Sequence, residues 1–284
     1  MSLEAAVTRA VGRPVRGLKR VAGGDINDAY TAELEGGGRA FVKTRPGAPP
    51  GEYATEAAAL DWLAEPGALG VPEVLGVLDG PDEPRLLALE WLDAGPAGDE
   101  ALLGRGLATV HAAGADAFGG RSELWIGPLA LPNDPLPEWP AFYADRRLRP
   151  LLAPARDRGA LSPEGVRAVE RVIDRIDSVA GPPEPPARLH GDLWSGNVLW
   201  SGGRPFLIDP VAYGGHREVD LAMLRLFGSP GPRLLGAYEE VAPLAAGHED
   251  RVGLWQLFPL LVHAVLFGGG YGASAERVAQ RYCG

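Results

Sequence analysis

HGDLWSGNVLWSGGRPFLIDP, residues 190–210, is the stretch whose reading decides the fold. Its apolar residues at 198–200 and 205–208 read as two short buried strands joined across a tight turn at 201–204. Each outer end of this hairpin carries a polar group, Asn197 on one side and Asp209 on the other, with Asp192 just upstream. Antiparallel pairing around the turn brings Asn197 and Asp209 side by side, so two oxygen donors converge. Mg²⁺ takes only one or two protein oxygens and fills its remaining positions with water and phosphate oxygens. Asp192, five residues before Asn197, can approach the same point without being a ligand, which suits a base or orienting group for an attacking hydroxyl.

The rest of the chain bounds what this hairpin can belong to. At 284 residues and 46% apolar, it can bury one large core or two modest ones. A single cysteine, Cys283, rules out an internal disulfide and fits a reducing cytoplasm. Neither the N-terminal segment nor any later one offers 18 uninterrupted apolar residues, so no signal peptide and no membrane span are expected, and the expected location is cytoplasmic. The formal charge of −10 argues against nucleic acid as a partner. An anionic ligand needs a local cation, and only two lysines, Lys19 and Lys43, occur.

Outward from the hairpin, the chain changes character near residue 93. Before it, a short helix at 3–11 is followed by strands at 15–21, 29–34 and 40–44, a helix at 52–64, and strands at 74–79 and 85–91. This predicts a small, mostly antiparallel sheet with one main helix over 1–92. Beyond it, 102–113, 138–152, 163–179, 218–227, 232–242 and 250–267 read as helical, and the 198–208 hairpin is the only strand pair expected over 93–284. The Pro-rich 181–186 is a stiff connector. Arg146, Arg147 and Arg149 read as a solvated helix face.

His-Gly-Asp, four residues, Asn, then a strand pair and Asp is the pattern of a kinase catalytic loop followed by a metal-binding aspartate. A kinase-like N-terminal sheet should then supply a lysine that grips phosphate, and Lys43 lies in its third strand. Glu56, on the next helix, can pair with it. Gly23 and Gly24, in the turn between the first two strands, let backbone amides approach phosphate. The segment from Leu87 to Leu92, with Glu90 and Leu92 near its end, would present main-chain groups to an adenine at the cleft between the domains. A strand lysine or a Gly-Gly turn is commonplace alone; their order on the expected elements carries the reading. No GxxxxGK[ST] loop is present, which disfavours the Walker-type NTPases.

Several segments resemble the fructosamine kinase family, within the aminoglycoside-phosphotransferase and protein-kinase-like fold: GGDIN (23–27), FVK (41–43), LEWL (89–92), LATVHAAGADAFG (107–119), WPAFYADRRLRPLL (139–152), HGDLWSGN (190–197), IDPVAYGGHREVDLAM (208–223) and LWQLFPLLVHAVLFGGGY (254–271). The resemblance implies a bilobal α+β fold. It makes Asp192 the catalytic base, Asn197 and Asp209 the Mg²⁺ ligands, and Lys43 the ATP-phosphate contact positioned by Glu56. Trp194 and His263 would face a sugar. The implied reaction is phosphorylation of the 3-hydroxyl of a ketosamine, as a small molecule or on a glycated protein lysine, which releases the amine; bacterial relatives are expected to favour ribulosamines and erythrulosamines. Many relatives carry a cysteine in the Gly-rich turn, where this chain has Asp25. His216, Arg217, Glu218 and Asp220 are expected to be mainly structural, Asp220 bracing the catalytic loop through backbone amides. The alternatives are a kinase of another small hydroxylated molecule, such as an aminoglycoside, choline or homoserine, and a non-catalytic nucleotide-binding pseudokinase.

Overall fold

Ser2 starts the first helix by accepting the Ala5 amide on its hydroxyl oxygen, and Gly12, at φ 70°, ends it in the left-handed conformation. The computed structural model describes every residue except 22–26, 82–83, 121–122 and 229. In chain order its elements are α1 (Leu3–Val11), β1 (Val15–Val21), β2 (Asp28–Leu34), β3 (Arg39–Thr44), α2 (Glu52–Ala64), β4 (Val74–Leu78), β5 (Leu86–Glu90), α3 (Glu100–Ala112), β6 (Leu124–Ile126), β7 (Leu129–Leu131), α4 (Trp139–Phe142), a π-helical stretch (Tyr143–Leu148), α5 (Arg149–Asp157), α6 (Pro163–Asp174), α7 (Ile176–Val179), β8 (Ala187–Leu189), a 3₁₀ turn (Ser195–Asn197), β9 (Val198–Ser201), β10 (Arg204–Leu207), β11 (Tyr213–Gly215), α8 (Glu218–Leu224), α9 (Pro232–Val241), α10 (His248–Phe267) and α11 (Tyr271–Gln280). They form two compact units. One comprises residues 1–99, 125–130 and 198–211; the other comprises 100–124, 131–197 and 212–284.

The first unit is built on a five-stranded antiparallel sheet of order β1-β2-β3-β5-β4. Side chains alternate across a strand, so Ala32, Leu34, Ala40, Val42, Leu86 and Ala88 share one face, where Ala6 and Val7 of α1 cover them. Leu87 and Leu89 point the other way and pack with Tyr53 and Leu60 of α2. Each fully buried Leu or Val stabilises by about 1.5–3 kcal/mol, so the two helices fix the sheet from opposite sides.

The β9–β10 hairpin is placed in sequence between segments of the second unit, yet it packs with the first. The Gly70 amide donates to the Pro205 carbonyl (3.0 Å), the Leu207 amide to Gly70 (2.8 Å) and the Gly95 amide to Trp200 (2.7 Å). β9 is half-buried throughout, whereas β10 buries Pro205 and Leu207, because a two-stranded ladder covers one face and leaves the other open.

The second unit is mostly helical, and here the sequence reading needs correction. Two further strand pairs occur over 93–284, β8 with β11 in this unit and β6 with β7 largely in the first, each made of three-residue strands too short to show alternation. The helix expected at 138–152 is α4, a π-helical stretch and α5, running on to Asp157. The one expected at 163–179 breaks at Arg175, and α11 follows α10. The arginine-rich face is not all solvated: Arg147 is completely buried. Its guanidinium lies 4.1 Å over the Tyr213 ring and 4.5 Å over Phe142, and it donates to the Pro132 carbonyl and Asn133 Oδ1. Aromatic faces and carbonyl oxygens thus replace water around the charge. No helix of the described residues is long and apolar enough to cross a membrane.

Candidate active site

Strand pairing places the chemistry of the first unit on one face of its sheet. Val21 of β1 opposes Ala29 of β2, which opposes Lys43 of β3, and Lys43 opposes Leu87 of β5; two residues along, Lys19, Thr31, Phe41 and Leu89 form the next row. Both lysines of the chain therefore face the same side. An open groove of about 460 Å³ on this face is lined by Lys19, Val21, Thr31, Arg39 and Trp91 among others. Arg39 stacks on Trp91 (4.8 Å to the ring centre), and both donate to Asp93, at 2.7 and 3.0 Å.

Lys43 is buried, and its Nζ donates to Glu56 of α2 at 2.7 Å and to Asp209, beyond the hairpin's second strand, at 2.8 Å. Burial works against the charge, but the two carboxylates outweigh it and hold the amine above its ordinary pKa. Asp209 is the one non-glycine residue at positive φ among those described (φ 55°). That conformation costs about 1 kcal/mol, and it turns the carboxylate at the hairpin's open end toward the lysine.

Asn27, whose role was not legible in the sequence, accepts from Tyr53 Oη (3.1 Å) and Arg45 (3.3 Å). Arg45 also grips Glu52 through two hydrogen bonds of 2.8 and 2.7 Å, which ties the end of β3 to the start of α2. Burial pushes the Glu52 carboxyl up to about 7, against the pull of Arg45. Gly23 and Gly24, and with them Asp25, lie outside the described residues. Glu90 ends β5; its amide donates to the Glu73 carbonyl and its carboxylate accepts the Glu73 amide, while Leu92 follows outside any helix or strand.

In the second unit, β8 runs into the loop that carries Asp192. Gly191 takes φ 83°, which a side chain would resist. Asp220, at the start of α8 and fully buried, accepts the His190 amide at 2.7 Å and the Gly191 amide at 2.9 Å. His111 of α3 sits 3.2 Å from the same carboxylate, and its other ring nitrogen meets Tyr238 Oη at 2.8 Å. Burial alone would raise the Asp220 pKa; the hydrogen bonds and nearby histidines hold it below the ordinary carboxylate value. Asp220 therefore braces the loop through backbone amides. Glu218, Arg217 and His216 are likewise occupied by protein. Glu218 accepts from Arg251 at 2.6 and 2.9 Å and from the Trp255 indole at 2.8 Å. Arg217 pairs with Glu184, and His216 stacks on Trp255.

The loop closes on itself after Asp192. Trp194 donates its amide to the Asp192 carbonyl, and Asn197 donates its own to Trp194. Asn197, itself buried, donates from Nδ2 to the Asp192 carbonyl (2.8 Å) and to its carboxylate (3.0 Å). With Nδ2 so engaged, Oδ1 is the end of the amide turned away from Asp192. Trp194 folds back over Gly196, where a Cβ would come within 2.2 Å of the indole. Its edge meets Phe227, which in turn contacts His263 of α10 and Tyr271 of α11. The structure thus forms two groups: Lys43, Glu56 and Asp209 in one unit, and Asp192, Asn197 and Trp194, linked to His263 through Phe227, in the other. Phe227 had no sequence signal. His111 could have been found, since it sits within LATVHAAG.

Comparison with known proteins converges on one family. The fructosamine kinase family model matches residues 2–283. A crystal structure of a Thermobifida fusca protein assigned as a fructosamine-3-kinase superposes with a TM-score of 0.90 at 46% identity, covering 99% of each chain. The protein-ribulosamine 3-kinase of Arabidopsis thaliana is 34% identical over 92% of this chain and 81% of its own length. An aminoglycoside phosphotransferase solved with ADP and hygromycin B, 17% identical over 100% of this chain and 98% of its own, has a TM-score of 0.65 and shares the fold alone. With the α+β, protein-kinase-like architecture and a family match spanning nearly its whole length, this chain belongs to the fructosamine kinase family.

Proposed function

We propose that the protein transfers the γ-phosphoryl group of ATP to the 3-hydroxyl of a ketosamine, with Asp192 as the base and Lys43 on the nucleotide phosphates. The observation that carries this is Lys43 held between Glu56 and Asp209, which joins a strand, a helix and the hairpin end in one charge cluster. Asp192 would take the proton of the attacking hydroxyl as the new O–P bond forms and the bond to the departing ADP breaks. Phosphoryl transfer has a loose transition state, so the residues mainly position and neutralise.

Asn197 and Asp209 would hold Mg²⁺. The donor set fits: an amide whose NH₂ is tied to Asp192 offers Oδ1, and Asp209 adds a carboxylate. Among the described residues no group of three or more His, Cys, Asp or Glu is placed to hold a metal ion, and a hard cation that shares phosphate oxygens needs none. When bound, Mg²⁺ would neutralise charge on the transferring phosphate. Gly23, Gly24, Glu90 and Leu92 are proposed for the nucleotide, and Trp194 with His263 for the substrate. The acceptor is a free amine adduct or a glycated protein lysine, in the cytoplasm.

The test is Mg²⁺-dependent ADP release with amine adducts of ribulose, erythrulose, psicose and fructose, with free sugars, choline and kanamycin as controls. Selective turnover of an adduct, lowered about a hundredfold or more in Asp192→Asn, is expected. Turnover of a control alone overturns the ketosamine reading, and near wild-type turnover in Asp192→Asn removes that residue from the chemistry.

A further inference from the structure

Four residues that the phosphoryl-transfer reading leaves without a part meet where β2 begins, β3 ends and α2 starts. Arg45, the first residue past β3, grips Glu52 of α2 through Nη1 at 2.8 Å and Nη2 at 2.7 Å, and Nη1 also reaches Asn27 Oδ1 at 3.3 Å. The Tyr53 hydroxyl donates to the same Asn27 oxygen at 3.1 Å. Asn27 closes the GGDIN segment and directly precedes β2, Tyr53 is completely buried, and Glu52 is buried beside it. Three elements are joined by side chains that face one another inside the unit.

The spacing of this junction matches that of the Lys43–Glu56 pair. Lys43 and Arg45 stand two residues apart, about 7 Å along extended chain, and Glu56 and Glu52 stand four apart, about 6 Å along a helix. Strand and helix run in opposite directions here, so each cation meets the carboxylate across from it. One such tie would let α2 pivot about Glu56; two, a helical turn apart, also fix its rotation. Asp79 holds the same end of the helix by accepting the Ala54 amide at 3.1 Å. A buried ion pair adds little net stability over well-packed apolar residues, whereas the two-pronged arginine contact imposes a geometry.

We propose that Asn27, Arg45, Glu52 and Tyr53 form a latch that seats α2, and through Glu56 aims the Lys43 amine at the nucleotide phosphates. All four are positioning residues. The inference rests on the reading of Lys43 as the phosphate contact and deepens it. Once the latch is loosened, Glu56 shifts with its helix and the amine is left to its other partner, Asp209.

The experiment measures the Kd of MgATP by titration calorimetry without acceptor, and the KM of MgATP and of a ribulose adduct in turnover. It uses the wild type, Arg45→Lys, Tyr53→Phe and Glu56→Gln, and each of the first two substitutions combined with Glu56→Gln. Melting curves fix an assay temperature at which every variant is folded. Arg45→Lys and Tyr53→Phe should each raise the Kd and KM of MgATP about three- to tenfold, less than the roughly hundredfold that an ångström of misplacement costs in rate, and leave the KM of the adduct unchanged. In the Glu56→Gln background the same substitutions should change the Kd by less than about twofold, because effects that share one route do not add. Full effects in that background overturn the latch, since the residues then act independently of Glu56. Variants that melt lower yet bind MgATP as the wild type does also overturn it, as does a parallel rise in both KM values. The Kd values are read without acceptor, so failure of the ketosamine reading alone does not touch them. A wild type that binds no MgATP removes Lys43 from the phosphates, and the latch falls with it.

Discussion

Replacing Asp220 with asparagine keeps the side chain's shape while removing half of what it accepts, which makes the variant a sharp test of the loop brace. In the native structure one carboxylate oxygen takes the Gly191 amide, at 2.9 Å, and the other takes the His190 amide, at 2.7 Å, with His111 at 3.2 Å. An amide has a single oxygen, so either backbone N–H would face an NH₂ group. One buried donor then loses its partner, a cost of about 1–3 kcal/mol. The bonds that remain lose their charge assistance, worth roughly another 1 kcal/mol. The expected loss is about 3 kcal/mol in urea unfolding at neutral pH. Acidification gives the same reasoning a sign. The folded pKa lies below the ordinary carboxylate value, so this stabilisation is present above about pH 4 and disappears only as pH falls through the lowered folded value.

Catalysis should respond as well. The braced amides lie immediately before Asp192, and an ångström of misplacement costs on the order of a hundredfold in rate. Lower kcat with little change in the KM for ATP is therefore expected of Asp220→Asn. A variant within about 0.5 kcal/mol of the wild type, the range of neutral surface changes, and with undiminished kcat would refute the brace.

Arg147→Lys should lose about 2–4 kcal/mol in chemical denaturation despite conserving charge, because an ammonium cannot stack flat on Tyr213 while reaching Pro132 and Asn133. Gly104→Ala in α3 should destabilise by about 1–3 kcal/mol, although alanine is the better helix former; a Cβ there would come within 2.1 Å of the Leu234 carbonyl oxygen of α9, and a raised melting temperature would show that the two helices can separate freely. His216 is buried, and burial lowers its pKa. The unfolded chain therefore takes up its proton first as pH falls below about 6.5, and stability should decline there by up to about 1.4 kcal/mol per pH unit. His216→Gln should flatten that slope in urea titrations between pH 5 and 6.5, and an unchanged slope would assign it to other groups.

Much of the first unit was legible because its strands are long enough to display a period of two. Residues 40–44 could be placed as the third strand after the glycine turn at 36–38, which put Lys43 on the sheet, and a helix at 52–64 put Glu56 within its reach. Three-residue strands such as Ala187–Leu189 carry no such period. Arg147 was misread for a related reason. In the run Arg146, Arg147, Leu148, Arg149, only one arginine turns inward, and the π-helical stretch changes the helical phase at that point. The hairpin was recognised but its packing was not, since its contact at Gly70 is set by a loop with no pattern of its own.

The site divides along the same line. Local pattern specifies which face a residue occupies, and it therefore located Asp192 and Asn197, whose contact spans five residues. It could not specify partners that only tertiary packing brings together, such as His111 with Asp220, 109 residues apart, or Trp194 with Phe227. Those partners have distinct duties. His111 and Asp220 are buried and fix the loop, so their substitution should register first in stability. Phe227 is exposed, with its ring beside those of Trp194, His263 and Tyr271, so its substitution should cost less stability than that of His111 or Asp220. A residue that only tertiary packing brings to the loop carrying Asp192 leaves no trace in local pattern, which is why Phe227 emerges from the fold and not from the sequence.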